Sequence, residues 1–148
     1  MTGFAKGMIV TGVVLVLLIV VVIGAGVYWV SLQTGPLFAK STEAMEEGRR
    51  FGASTDNAGC VSETLARYQK EPGFTGAVTG QVFMGGCLRV SLPTEGFCDG
   101  VPGPTEFMRV AEWRREQCAQ AGLGKDAYCQ QIFTPVQSYC ERQRKAAK

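Results

Sequence analysis

Six cysteines are the residues best suited to chemistry in this 148-residue sequence. They are Cys60, Cys87, Cys98, Cys118, Cys129 and Cys140. An even number of cysteines in a short domain behind a hydrophobic segment is typical of a disulfide framework. Zinc sites and thioredoxin-like redox sites commonly use a C-x-x-C pair, which this sequence lacks. We therefore predict six disulfide-bonded cysteines, and the alternative is a thiol–disulfide redox-sensing protein with one exposed, strained bridge.

Helix geometry favours one of the fifteen pairings that six cysteines allow. One helical hairpin about residue 73 and a second about residue 123 would each bring two cysteines face to face. The far end of the last helix would then approach the loop that holds Cys98. The predicted pairs are Cys60–Cys87, Cys98–Cys140 and Cys118–Cys129.

Several classes of catalytic site are excluded by composition. The chain contains no histidine, so catalytic triads and dyads that use imidazole and zinc sites with histidine ligands are absent. Two carboxylate pairs, Glu112 with Glu116 and Glu95 with Asp99, lack a glycine-rich phosphate-binding loop beside them. We therefore expect no catalytic residue, no metal and no cofactor. A membrane-tethered enzyme with an unrecognised site is the less favoured alternative.

A role in nucleic-acid binding is not expected either. Fifteen Lys and Arg residues stand against thirteen Asp and Glu residues, which gives a formal net charge of +2. Nucleic-acid-binding domains usually carry a strong basic excess on one face. The charge balance is therefore too even for a dedicated nucleic-acid binder.

Five residues are candidates for contact with a partner. Phe97 and Asp99 flank Cys98 in an irregular stretch, 91–103, and a loop held by a disulfide is a good recognition surface. Trp113, Arg114 and Arg115 combine two residue types that are enriched at interface hot spots. The alternative for the loop is a plain connector. The alternative for the other three residues is a tryptophan at the edge of the core beside two solvated arginines.

The N-terminal part of the sequence predicts a membrane anchor. Residues 8–30 form a run of 23 residues without a charge, long enough for one transmembrane helix. Residues 1–7 would precede it on the cytoplasmic side. Tyr28 and Trp29 would lie at the headgroup layer. A secretory signal cleaved near Gly24–Gly26 is the alternative, but the apolar run continues beyond that point.

All six cysteines follow the anchor, which places the remainder of the chain outside the cytoplasm. We expect a bacterial inner membrane with a periplasmic domain, and a eukaryotic secretory membrane satisfies the same physics. The bilayer would hold residues 8–30, and the outer domain would contact another envelope or membrane protein. This pattern favours a binding or assembly module, an accessory or interaction protein of the cell envelope.

The fold class is predicted as all-α, with a transmembrane helix, a stalk or linker at 31–55 and a disulfide-stapled domain of about four helices at 56–148. Gln33 to Pro36 should break the anchor helix. Pro135 should kink or split the last helix after Phe133. The four predicted helices are 56–70 with Asp56 as N-cap, 75–90, 104–121 with Pro104 in its first turn, and 126–145 with Asp126 as cap.

Three of these helices carry further expectations. In the second, Gly76, Gly80, Gly85 and Gly86 should let another helix approach closely; a binding groove and a β-strand at 77–83 are alternatives. In the third, Trp113 is expected to lie mostly off a buried stripe. That stripe consists of Phe107, Val110, Ala111 and Cys118. In the last helix, a second stripe is predicted at Cys129, Ile132, Phe133, Val136 and Cys140.

Overall fold

The computed structural model describes residues 2–147, without the side chains of residues 2–11, 33, 34, 36 and 37. Met1, part of the predicted cytoplasmic segment 1–7, lies outside the described residues. No strand is present in the described part of the chain, so the all-α prediction is confirmed. The helices are α1 (Thr2–Gly52), α2 (Asn57–Lys70), α3 (Phe74–Leu88), α4 (Phe107–Gln120), α5 (Cys129–Ile132) and α6 (Thr134–Ala146).

The chain divides into two compact units, the first ending at Phe38 and the second beginning at Ala39. Within the first unit, the segment Gly12–Leu32 has 21 residues and a mean hydropathy of 2.9. Its apolar side chains are exposed, as Val22 is at 69%. This segment is therefore long and apolar enough to cross a membrane.

The predicted helix break at Gln33–Pro36 is wrong, because α1 continues to Gly52. The linker expected at 31–55 is therefore helical over most of its length. Residues 39–52 pack on α3, where the rings of Phe51 and Phe83 lie 6.0 Å apart. Gly86 makes this close approach possible, because a Cβ there would lie 2.5 Å from the carbonyl oxygen of Met45.

Helix α2 begins where the sequence predicts. Asp56 is the N-cap, and its Oδ1 accepts a hydrogen bond of 2.7 Å from the backbone N–H of Gly59. This bond satisfies one of the amide donors that the first turn leaves free. The helix ends at Lys70, and the chain turns at Gly73, whose φ of 98° suits glycine.

Helix α3 lies at the centre of the second unit and packs against α2, α5 and α6. The β-strand alternative at 77–83 is wrong, since all of these residues lie within α3. Close packing explains most of its glycines: a Cβ at Gly80 would lie 3.4 Å from Thr64 Cγ2, and one at Gly76 would overlap the carbonyl oxygen of Glu71.

Helix α4 begins at Phe107, three residues after the predicted position. Residues 103–106 instead form a turn, in which the carboxylate of Glu106 accepts a bond of 2.7 Å from the N–H of Gly103. Pro104 lies in this turn rather than in the helix. The predicted buried stripe is only partly correct: Cys118 is buried and Val110 half-buried, but Phe107 is 78% exposed and Ala111 is exposed. Trp113 is instead half-buried and packs on the core.

The last predicted helix is split into α5 and α6 at Phe133, and Pro135 lies in the first turn of α6. Pro135 has no N–H to continue the helical bonding, so the predicted split is confirmed. The predicted stripe is confirmed as well, since all five of its members are buried. They are Cys129, Ile132, Phe133, Val136 and Cys140.

All three predicted disulfides are confirmed. Their Cα–Cα distances are 5.8, 5.3 and 6.0 Å, within the usual range. They link Cys60 to Cys87, Cys98 to Cys140 and Cys118 to Cys129. The first joins α2 to α3, the second joins the 91–103 loop to α6, and the third joins α4 to α5.

Candidate binding groove

The loop at 91–103 is positioned first by Asn57, which is buried at the start of α2. Its Nδ2 donates a hydrogen bond of 2.8 Å to Ser91 Oγ, and its Oδ1 accepts one of 3.1 Å from the N–H of Thr94. The hydroxyl of Tyr139 on α6 donates to the same Oδ1 at 3.3 Å. One amide group therefore joins the loop to two helices.

Contacts with α6 hold the rest of this loop. The Cys98–Cys140 disulfide is flanked by an edge-to-face contact of Phe97 with Tyr139, whose ring centroids lie 5.9 Å apart. Farther along α6, Arg144 Nη1 donates to the carbonyl oxygen of Val101 at 2.8 Å. Although the loop has no regular secondary structure, these contacts fix it on both sides of Cys98.

Helix α4 is attached to the core by its inner face. Trp113 packs edge-to-face on Phe133, with ring centroids 5.9 Å apart. Arg114 Nη2 donates a hydrogen bond to Gln137 Oε1 on α6. The Cys118–Cys129 disulfide then secures the end of α4 to α5. The exposed outer face of α4 contributes nothing to these attachments.

A groove with a volume of about 420 Å³ lies where α2, α4 and the 91–103 loop meet above α5 and α6. Three of the five predicted partner residues, Phe97, Asp99 and Trp113, line it. The apolar part of its lining also includes Val61 and Leu65 of α2. The remaining lining residues are Ala58, Ser62, Val101, Gln117, Gln120, Ala121, Phe133 and Val136.

The two predicted arginines do not line this groove. Arg115 is exposed on α4, with Nη2 3.9 Å from Glu112. Arg114 is half-buried, and among residues 2–147 its Nε finds no hydrogen-bond partner. Burial lowers the pKa of its guanidinium from the ordinary value. The sequence grouped Trp113, Arg114 and Arg115 together, and the helix turns them in different directions.

Neither predicted carboxylate pair forms a shared site in the groove. Asp99 is in its lining, while Glu95 and the Glu112–Glu116 pair are not. Asp99 is exposed at the groove, and the other polar lining side chains are a hydroxyl and two amides. The groove thus presents an apolar surface with one carboxylate, which suits binding of an amphipathic group.

The turn between α4 and α5 is held by a buried hydroxyl and a carboxylate. Tyr68 donates a hydrogen bond of 2.7 Å to Asp126 Oδ2, which lowers the pKa of Asp126. The N–H groups of Tyr128 and Cys129 donate to Oδ1 and act in the same direction. Burial, together with the bond to Asp126, raises the pKa of Tyr68. The predicted helix start at Asp126 is wrong, because α5 begins at Cys129 with Tyr128 as its N-cap residue. The Asp126 carboxylate instead holds the turn that precedes α5.

A second cavity, of about 380 Å³, lies between residues 40–47 of α1 and helices α2 and α3. Charged side chains of both signs line it, and two carboxylates there are already paired with cations. Arg67 bonds to Glu47, and Lys40 lies 3.4 Å from Glu71. The guanidinium of Arg67 also lies 4.1 Å from the centre of the Phe83 ring. These contacts hold the helices together, so we assign the candidate site to the groove.

No known protein family, curated protein or solved structure matches this chain. The groove must therefore be interpreted from its own residues. Sequence reasoning missed Asn57, whose partners lie 34 to 82 residues away, so no local pattern marks it. It also missed that Val61 and Leu65 line the groove, although their spacing on α2 places both on one face.

Proposed function

We propose that this protein is a single-pass, membrane-anchored binding or assembly module of the cell envelope. The groove carries the proposal: a mostly apolar surface that exists before any ligand arrives, because two disulfides and Asn57 hold its walls. A rigid site loses little conformational entropy on binding, so more of the contact energy contributes to affinity. The occupant would be part of another envelope or membrane protein.

Two observations support the proposed location. The segment Gly12–Leu32 is apolar enough to span a bilayer, and the six cysteines that follow it are all disulfide-bonded. Disulfides persist outside the reducing cytosol. The N-terminus would then lie in the cytoplasm, with residues 8–30 in the bilayer and the domain in the periplasm or its eukaryotic equivalent.

Binding is favoured over catalysis by the chemistry of the groove lining. Hydrolytic and acid–base mechanisms generally combine a nucleophile or base with a second group that orients it. In the groove, Asp99 is the single titratable side chain with a carboxylate, and its neighbours in the lining are apolar or neutral. We therefore propose a role without bond making or breaking.

A photo-crosslinking experiment in native membranes tests the binding role. A photoreactive amino acid replaces Gln120, which is exposed and lines the groove, or Arg115, which is exposed on the same helix outside it. We expect one defined crosslinked protein from position 120 and far less from position 115. Equal products at both positions, or none at position 120, would contradict a partner in the groove.

A topology experiment tests the location separately. Intact cells or sealed vesicles with a C-terminal tag are treated with protease from the outer side, and thiols are alkylated before and after reduction. We expect the tag to be digested and all six cysteines to react only after reduction. A protected tag with free thiols would place the domain in the cytoplasm.

A redox-sensing role is the second candidate, and the exposure of Cys98 favours it. Cys98 is half-buried, whereas the other five cysteines are fully or almost fully buried. A sensor should therefore lose the Cys98–Cys140 bridge at far lower dithiothreitol concentration than the other two. Mass spectrometry of alkylated peptides measures this, and simultaneous reduction of all three bridges would reject the sensor.

A further inference from the structure

We propose that the groove binds a partner segment that combines a bulky apolar side chain with a neighbouring Lys or Arg, and that Asp99 receives the cation. This inference rests on the proposed function, since it names the chemistry of the partner in the same groove. The apolar lining and the position of one carboxylate carry it together.

The apolar half of the site comes from three elements. Leu65 of α2, Trp113 of α4 and Phe97 of the loop all line the groove, with Phe133 beneath Trp113. A volume of about 420 Å³ lies within the range of pockets that enclose small ligands, so one or two side chains of a partner would fill it. Burial of an apolar side chain there would supply most of the affinity.

The charged half of the site is Asp99. It is the only charged residue in the groove lining. With the side chains that the structure describes, its carboxylate forms no ion pair and no hydrogen bond. By contrast, Glu47 and Glu71 at the second cavity are paired with Arg67 and Lys40. A carboxylate without a cation at an apolar groove favours a positively charged partner group and disfavours an acidic one.

The backbone around Asp99 is held by successive turns. The N–H of Asp99 donates to the carbonyl oxygen of Gly96 at 2.9 Å, and the N–H of Val101 donates to that of Cys98 at 3.3 Å. Gly100 is the third residue of the 98–101 turn and has a φ of 74°, while Gly96 is the third residue of the preceding 94–97 turn, closed by the bond from Phe97 N–H to the carbonyl oxygen of Thr94, and has a φ of 70°. A positive φ at this position suits glycine. The Cys98 disulfide anchors the same turn to α6. These contacts therefore fix the backbone from which the Asp99 side chain extends at the groove.

A peptide series tests the charge preference. The full-length protein in zwitterionic nanodiscs carries Trp29→Phe, which leaves Trp113 as its one tryptophan, a groove residue whose fluorescence reports binding. The probes are three blocked tripeptides, Leu-Leu-Arg, Leu-Leu-Gln and Leu-Leu-Glu. We expect the Arg peptide to bind about fivefold more tightly than the Glu peptide at low salt. The difference should shrink as salt is raised.

Two variants of the same loop provide the decisive comparison. Asp99→Asn should make the three peptides bind equally, while Glu95→Gln should leave the preference unchanged because Glu95 is outside the groove lining. Equal affinity for all peptides in the unmodified loop, no saturable binding, or a preference that survives Asp99→Asn would overturn the inference. Photo-crosslinking at Gln120 fails or succeeds independently, so the proposed function is judged separately.

Discussion

Replacing Gly86 by alanine tests the close contact between residues 39–52 of α1 and the central helix α3. A Cβ at Gly86 would lie 2.5 Å from the carbonyl oxygen of Met45, about 0.8 Å closer than a normal carbon–oxygen contact of roughly 3.3 Å. The obstacle is backbone, so no side chain can rotate away. The two helices must separate or α3 must bend.

Gly85→Ala is the matched control, because Gly85 is the neighbouring residue in the same helix. A Cβ there would meet only Pro135 Cβ, at an ordinary distance of 3.9 Å. Both substitutions gain about 1 kcal/mol from the higher helix propensity of alanine. The stability difference between the two variants therefore measures the steric cost at Gly86 alone, which we expect to be about 1–3 kcal/mol.

Thermal unfolding of the full-length protein in detergent, followed by far-ultraviolet circular dichroism without reductant, measures this difference. Gly85→Ala should match or exceed the parent protein in melting temperature. Gly86→Ala should melt at least about 4 °C below Gly85→Ala. If the two variants melt together, residues 39–52 do not approach α3 as closely as described, and the reasoning is refuted.

Three further predictions concern the framework of the groove. Asn57→Ala should lower the free energy of unfolding by about 2–4 kcal/mol, because it removes three hydrogen bonds of a buried amide and leaves one buried and two half-buried partners unsatisfied. Urea unfolding measures this loss, and a loss below about 1 kcal/mol would contradict the linking role of Asn57. Because the pKa of Asp126 is lowered in the folded protein, its carboxylate stabilises the fold above the pKa of an unfolded aspartate, near 4, and this stabilisation is lost as the pH falls below that value. Asp126→Asn should therefore lose less stability than the parent protein on acid titration, and identical curves would contradict this. Replacing both Cys98 and Cys140, which are 42 residues apart, should lower the free energy of unfolding by about 4 kcal/mol, whereas removing the Cys118–Cys129 bridge, which spans 11 residues, should lower it by about 3 kcal/mol. Urea unfolding measures both losses, and a larger loss for the shorter bridge would refute the loop-length reasoning.

Local patterns predicted a large part of the fold. The pairing of Cys60 with Cys87 follows from two helices joined by a short turn, which brings few residues of the two helices face to face. The cap at Asp56 depends on the first turn of its own helix. Pro135 splits the last helix because proline has no backbone N–H to donate to the preceding turn, an effect that depends on this residue alone. In each case the determining interaction lies within a few residues or within one helical hairpin.

Predictions that depended on distant contacts were less successful. Residues 39–52 were predicted to be part of a charged stalk. The sequence does not reveal that they pack closely on α3, with the backbone of Met45 close to Gly86. Trp113 packs on Phe133 because α5 lies on that side of α4, while the more apolar Phe107 remains exposed. Apolar spacing alone does not specify which face of a short helix meets the core.

The position of the candidate site was only partly predicted from the sequence. Phe97, Asp99 and Trp113 share one groove, although the loop and α4 are separate in the sequence. Leu65 joins them through the packing of α2, which sequence reasoning cannot place. Arg115 remains a candidate partner residue, but for a surface outside the groove.

The Cys98–Cys140 bridge makes one wall of the groove depend on the compartment in which the protein folds. Phe97 and Asp99 stand on either side of Cys98, so one wall of the groove is fixed to α6 by a covalent bond that forms only under oxidation. Under the proposed function, a newly made chain in a reducing compartment would lack this bond and would hold the proposed partner poorly. Binding would then begin only after the bridge forms in an oxidising compartment.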